Sequence, residues 1–369
     1  MVIFNMNEHV YHIHNLITVR VNEKVRPWVL KSINRQLGSF KSDNKNHSNP
    51  LMILVNPFDM FSFTQDREIF QNSEGGKDSW YANRESRLAI EKIPTGYAVY
   101  TDAMFSFTGL IQQLFISKGI SFAHAAALQN PSGGVTILAG SGGVGKTALS
   151  GFLVKEKGYK LLGDDMIALT ELGMCLAFHK AFVLKEYHRS VYPELFATRK
   201  HMSLQKRATR FIIWHLYANV PFRGIIDKFL KSQGVYNRIA FIPFIRKDSV
   251  DVVPAEQIFP AECLATQGPV VKTILLLRCS VPDFLIEEQN GTWMARRMFA
   301  ILYQELENDL KRLLEMGSLG LEDLGVNFWR ARTILEKAVS RTPCRVLRIP
   351  EKATPEELAR AFEQLGCIN

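Results

Sequence analysis

The sequence predicts an α/β protein with added α+β elements, in which a smaller N-terminal domain (1–118) precedes a larger core (119–369). Three observations predict this. An apolar strand run, "VTILAG" (135–140), passes straight into a glycine-rich turn and then a helix, "TALSGFLVKEK" (147–157). A second strand run, "YKLLGDD" (159–165), follows that helix after Gly158. The residues before about position 130 carry strand and helix patterns of their own.

Taken in order, "YHIHNLITVRV" (11–21) and "PLMILVNPF" (50–58) read as strands, and "RPWVLKSINRQL" between them has helical spacing. The polar stretch "KSDNKNHSN" (41–49) reads as a loop. "RLAIEKI" and "GYAVYTD" flank Pro94, Thr95 and Gly96 as a hairpin. In "MFSFTGLIQQLFISKG" the residues Phe105, Leu110, Ile111, Leu114 and Phe115 give a helical stripe that ends at Gly119. Beyond the glycine-rich unit, "VKTILLLRC" (271–279) reads as a strand, and one long helix starts near Thr292 and includes "RRMFAILYQELENDLKRLLEMG". The last helix opens with Thr354 as N-cap, Pro355 at the first helical position and Glu357 closing a capping box.

Composition narrows the class. The chain has 369 residues, 47% hydrophobic and 22% charged, which is ordinary for a soluble globular protein. No apolar run reaches the roughly 18–20 residues that span a bilayer, and the N-terminus has no signal-peptide pattern. Five scattered cysteines without a CxxC pair predict neither disulfides nor a zinc site, so a cytoplasmic setting is expected. The net charge of +9 is concentrated: residues 178–247 hold 14 Lys and Arg against 3 Asp and Glu. A basic insert with helical character at about 200–235 is expected there, and it suggests an anionic partner.

Residues 140–147 read G-S-G-G-V-G-K-T, a full match to GxxxxGK[ST]. Each part has a physical reason. Gly140, Gly142, Gly143 and Gly145, with Ser141 and Val144, let backbone N–H groups wrap closely around phosphate oxygens at a helix N-terminus. Lys146 is placed to reach the β- and γ-phosphates of a nucleotide, and the Thr147 hydroxyl to ligate Mg²⁺. Asp164 and Asp165 follow only 18 residues after Lys146, at the tip of a strand expected to neighbour the loop strand. Beside Mg-ATP, one of two such carboxylates holds the metal and the other takes a proton from an attacking hydroxyl. His124, in "FAHAAAL", reads by itself as an ordinary core histidine.

Together, a histidine on a small-residue strand, this loop, a short helix and a strand ending in Asp-Asp resemble the HPr kinase/phosphorylase superfamily, which shares its core with the phosphoenolpyruvate carboxykinases. The likeness is good over residues 122–169 and looser beyond. It implies an HPr-kinase-like nucleotide-binding core, ATP and Mg²⁺ as cofactors, and self-association. It implies Asp164 as base, His124 as its support, Lys146 on the phosphates, and Asp165 with Thr147 at the metal. The second signature of true HPr kinases is not recognisable; "HKAFVLKEYHRSVYPELF" (179–196) and the basic insert stand where it would lie. A relative with its own acceptor is therefore expected: Ser or Thr of a peptide or protein, or a small metabolite.

Lys185, Arg189 and Arg246 are the candidates for phosphate or substrate contacts. The alternative expectation is a nucleotide-gated binding protein or ATPase switch that acts on an anionic partner through the basic insert. A carboxykinase would need further Mn²⁺ ligands and an oxaloacetate-binding arginine, which the sequence does not place.

Overall fold

A computed structural model describes residues 8–44, 49–62, 68–70, 73–76, 80–103, 105–184, 188–189, 191–193, 251–321 and 323–367. The expected basic helical insert at 200–235 lies outside the described residues. The fold is mixed α/β, and among the described residues it is built on two mixed sheets of nine strands and one two-stranded ribbon.

The first sheet contains β1 (Glu8–Ile13), β2 (Ile17–Asn22), β3 (Lys41–Ser42), β4 (Leu51–Asn56), β5 (Glu68–Phe70), β6 (Ser73–Gly76), β7 (Trp80–Asn83), β8 (Leu88–Ile93) and β9 (Gly96–Thr101), in the order β3-β1-β2-β4-β9-β8-β7-β6-β5. Helix α1 (Pro27–Leu37) buries Val29, Ile33 and Leu37, one stripe of its turns, in the same core as this sheet. The single strand expected over 11–21 is in fact a hairpin. Its turn residues His14 and Asn15 take φ of +50° and +55°, a conformation that His and Asn tolerate better than most residues.

Helix α2 (Thr108–Ser117) is buried from Thr108 to Ile116, as an apolar helix wedged between layers must be. Of its two buried glutamines, Gln113 leaves Oε1 without a hydrogen bond, whereas the Gln112 amide donates to Ser121 Oγ at 3.1 Å and accepts from Phe122 N at 2.7 Å. That pair pins α2 to the strand leading into His124.

The second sheet contains β10 (Ile120–Ala123), β11 (Ala125–Gln129), β12 (Val135–Ala139), β13 (Lys160–Gly163), β14 (Ile167–Thr170) and β15 (Met174–Leu176). It is completed by β18 (Gln267–Cys279), β19 (Leu285–Gln289) and β20 (Cys344–Pro350); the ribbon is β16 (Phe182–Leu184) with β17 (Asp251–Val253). Helix α3 (Lys146–Lys157) follows the glycine loop and ends at Gly158, whose φ of +67° is the left-handed stop the sequence predicts. The strand order runs β18-β12-β11-β13, so the Asp-Asp strand does not neighbour the loop strand as expected. The antiparallel histidine strand β11 lies between them, and α3 crosses over it.

Helix α4 (Ala255–Ile258) precedes β18, and α5 (Gly291–Glu305), α6 (Glu307–Leu319), α7 (Asp323–Val326), α8 (Phe328–Val339) and α9 (Pro355–Gln364) complete the chain. The long helix expected from Thr292 is broken at Leu306, with φ −96° and ψ 15°. The break sends the chain from one sheet to the other: α5 packs on β10, whereas α6 packs on β6 and β7, where Tyr81 donates to Glu315 at 3.1 Å. The capping box of α9 is present, with Glu357 N donating to Thr354 Oγ1 and Thr354 N to Glu357 Oε2.

The expected boundary at 118/119 falls in the turn after α2, but one apolar core runs across it, from Tyr11 and Val99 to Phe122, Met166 and Phe178. Phe178 joins the two sides, with its ring 5.3 Å from Phe40 and 4.8 Å from Phe122. Phe178→Ala is expected to cost about 3–5 kcal/mol, the usual range for deleting a buried aromatic ring. A denaturant midpoint series measures it, and a loss below about 1 kcal/mol would show that the two layers are not packed through this ring.

Candidate active site

Register, not proximity in sequence, assembles the site. In the antiparallel pair β11–β12, Ala125 faces Ala139, so His124 sits level with Gly140, where the glycine loop begins. Strand β13 also runs antiparallel to β11, with Gly163 opposite Ala127, which brings Asp164 and Asp165 to the same end. His124 occupies the break between β10 and β11, where the chain passes from pairing with β14 to pairing with β12 and β13. The loop, His124, Asp164 and Asp165 all line one cleft of about 290 Å³.

Three loop glycines, Gly140, Gly143 and Gly145, have positive φ, and at two of them a Cβ would also collide. Gly145 has φ of +112°, and a Cβ there would lie 2.6 Å from Leu358 of α9. Gly140 has φ of +153°, and its Cβ would meet the Leu276 carbonyl at 2.8 Å. Helix α9 is held over the loop by Arg278, whose guanidinium donates to the carbonyls of Pro350, Glu351 and Ala353.

The Lys146 ammonium folds back onto the loop, donating to Gly140 O at 2.6 Å and Ser141 O at 3.0 Å, with His124 Nε2 3.2 Å away. A lysine can only donate, so Nε2 is the acceptor and the imidazole proton sits on Nδ1. That nitrogen faces Asp165 Oδ1 at 3.5 Å. Burial holds the His124 pKa below its ordinary value, with Lys146 adding to the effect against the pull of Asp165, so the ring is neutral. Burial lowers the Lys146 pKa as well, and the carboxylates of Asp164, Asp165 and Glu305 oppose it.

The two aspartates have different surroundings. Thr147 Oγ1 donates to Asp164 Oδ2 at 2.6 Å, while Asp164 Oδ1 is shielded from solvent with no hydrogen-bond partner. Burial pushes the Asp164 carboxyl up to about 7 against the Thr147 hydrogen bond, and the neighbouring Asp165 charge adds to the rise. Asp165 is half-exposed and pairs with Lys180, whose Nζ is 3.3 Å from Oδ2. Desolvation alone would raise the Asp165 pKa, but Lys180, by its charge and its hydrogen bond, with Lys146 behind it, holds it below the ordinary value.

An orphaned carboxylate oxygen beside the loop threonine is the donor set that a nucleotide-bound Mg²⁺ needs. That ion takes one or two carboxylates and otherwise phosphate oxygens and water. Among the described residues no three His, Cys, Asp or Glu side chains converge to hold a metal unaided. Thr147 and Asp164 therefore fit Mg²⁺ in company with phosphate.

Of the expected site residues, the eight loop positions, His124, Asp164 and Asp165 come together. The implied division of labour between the aspartates does not match their contacts. Asp164, the expected base, has one oxygen bound to Thr147; Asp165, the expected metal ligand, makes no hydrogen bond to Thr147 among the described residues and turns to His124 and Lys180. Arg189 is exposed and is not among the residues lining the cleft, whereas its neighbour His188 is buried and lines it. Lys185 and Arg246 lie outside the described residues.

Sequence reasoning missed Lys180 and Glu305. Lys180 lies in the segment scanned for phosphate contacts, 15 residues after Asp165. Glu305 arrives from the end of α5, with Oε1 3.8 Å from His124 Nε2, and has no motif to mark it. All five cysteines are free, and no helix among the described residues is long and apolar enough to cross a membrane. No protein-family model matches the chain, and no curated protein matches it either.

Asp164 gives a pH dependence with a definite sign. A carboxyl whose pKa rises from 3.8 unfolded to about 7 folded keeps its proton longer in the native state. Its contribution to stability is thus lost as pH climbs between those values, by at most about 4 kcal/mol. Asp164→Asn keeps an acceptor for Thr147 and removes the titration. In thermal melts without metal or nucleotide, the variant should gain on the wild type progressively from pH 4 to pH 7. A constant difference across that range would contradict the buried, proton-retaining carboxyl.

Proposed function

We propose that this chain is an ATP- and Mg²⁺-dependent phosphotransferase of the HPr-kinase-like kind, acting on a hydroxyl: Ser or Thr of a peptide or protein, or a small metabolite. The observation that carries this reading is the split between the twin carboxylates. One is bonded to the loop threonine, and the other is turned to the cleft under the control of a neutral histidine and a lysine. A phosphate cradle alone would serve a motor or a switch equally well; a second, separately held carboxylate at its mouth suits proton removal from an acceptor.

In this reading Thr147 and Asp164 would hold Mg²⁺, whose charge would neutralise the phosphates. The loop N–H groups bind the β- and γ-phosphates, and Lys146 exchanges its bonds to Gly140 O and Ser141 O for phosphate oxygens. Asp165, kept ionised by its neighbours, accepts the acceptor hydroxyl's proton as that oxygen forms its bond to the γ-phosphorus. The bond from the γ-phosphorus to the bridging oxygen breaks, and ADP leaves. His124, with its proton on Nδ1, orients Asp165 and acts as a positioning residue. The roles of the two aspartates are thus the reverse of those the family resemblance implies.

Transfer of label from γ-labelled ATP to a panel of hydroxyl acceptors tests the reading. Asp165→Asn should lower transfer about 10²–10⁴-fold, the range for losing a general base, with ATP still bound. Undiminished transfer by that variant would remove Asp165 from the chemistry. ATP hydrolysis with no acceptor labelled would favour the nucleotide-gated binding protein instead.

A further inference from the structure

A second cavity, of about 520 Å³, lies between the N-terminal layer and the phosphate cleft. One wall is helix α1, with Leu30, Lys31, Asn34 and Arg35; the other is formed by His179, Ala181, Pro254 and Glu256. Ala181 also lines the phosphate cleft, so the two cavities share a wall there. The residue before it, Lys180, is the one paired with Asp165. The walls are tied together by Ala181 N donating to Arg35 O at 3.3 Å and Ser39 Oγ donating to His179 O at 3.1 Å.

We propose that this groove binds an extended, acid-bearing peptide segment of the acceptor and leads its hydroxyl to Asp165. The purpose rests on the phosphotransferase reading above; the binding itself does not. Three features point to such an occupant. The groove shares Ala181 with the phosphate cleft, one residue from the Lys180 that pairs with Asp165. Its lining mixes apolar Pro27, Leu30, Ala181 and Pro254 with polar groups, as grooves for extended peptides do. Lys31 and Arg35, four residues apart on one exposed face of α1, form no ion pair among the described residues, so an acidic side chain would meet two unanswered cations. Glu256 on the opposite wall is the only acid lining the groove among the described residues, and it would disfavour a uniformly anionic strand such as a nucleic acid.

The test uses the full chain without nucleotide and three sets of short fluorescein-labelled peptides. Each peptide has one Ser, flanked by Asp and Glu, by Gln, or by Lys; a labelled single-stranded oligonucleotide is the fourth probe. Fluorescence anisotropy should show that the acidic set binds best. The charge reversal K31E/R35E should weaken that set by about tenfold or more, the scale for two rim charges, and favour the Lys set instead. That exchange of preference cannot come from misfolding. Hydrogen exchange should show protection of residues 27–39 by the acidic peptide.

No binding of the acidic set at millimolar concentration, unchanged binding by K31E/R35E, or tighter binding of the oligonucleotide through Lys31 and Arg35 would each overturn the groove. Acidic peptide bound in the groove but never labelled from γ-labelled ATP would support the groove and overturn the phosphotransferase reading.

Discussion

The site depends on gathering an ammonium, an imidazole and two carboxylates at one end of a sheet, where Lys146, His124 and one oxygen of Asp164 are shielded from water and Asp165 is half-exposed. Isolated charges do not survive there. Lys146 is tolerated because two loop carbonyls and His124 accept hydrogen bonds from it, His124 because it is neutral, and Asp164 because burial raises its pKa to about 7 while Thr147 and the nearby Lys146 favour its charged form. The resulting cluster is short of positive charge near Asp164 Oδ1 and short of negative charge where Lys146 is folded against the loop. A metal-bound polyphosphate relieves both shortages at once. This is the physical reason to read the cleft as a nucleotide site rather than as an internal salt bridge.

Sheet topology supplies the geometry. Because β11 runs antiparallel between β12 and β13, the histidine at its start, the loop at the end of β12 and the aspartates at the end of β13 share one edge. The segment 177–182 then carries Lys180 to the same edge while it is gripped by the N-terminal layer through His14 on Ala177 O, Ser39 on His179 O and Phe40 on Phe178. The N-terminal layer thus reaches within one residue of the Lys180–Asp165 ion pair. Helices α6 and α7 lie on that same layer, where Lys92 pairs with Asp323, so a segment from far along the sequence helps to build it.

Local rules made much of this legible. The glycine loop, the stop at Gly158 and the capping box of Thr354 follow from constraints confined to a few residues, and they stand where the sequence places them. The hairpin at His14–Asn15 was hidden because neither residue is glycine. The break at Leu306 was hidden because no Gly or Pro marks it, and the insertion of β11 because strand order is not a local property. Asp164 and Asp165 could be picked out from their spacing to the loop, and His124 through the family resemblance, but their roles could not. Neighbouring residues at a strand end point to opposite sides, and the register alone decides which carboxylate meets Thr147. Lys180 and Glu305 enter from distant elements and leave no spacing to read.

The most direct test is electron paramagnetic resonance of Mn²⁺ standing in for Mg²⁺, titrated with ATP into the wild type and the two aspartate variants. If Thr147 and Asp164 form the metal's protein ligands, Asp164→Asn should lose the tightly bound, ATP-dependent Mn²⁺ signal, while Asp165→Asn retains it. Loss of that signal in Asp165→Asn with its retention in Asp164→Asn would contradict the split of the two carboxylates on which the proposed chemistry stands.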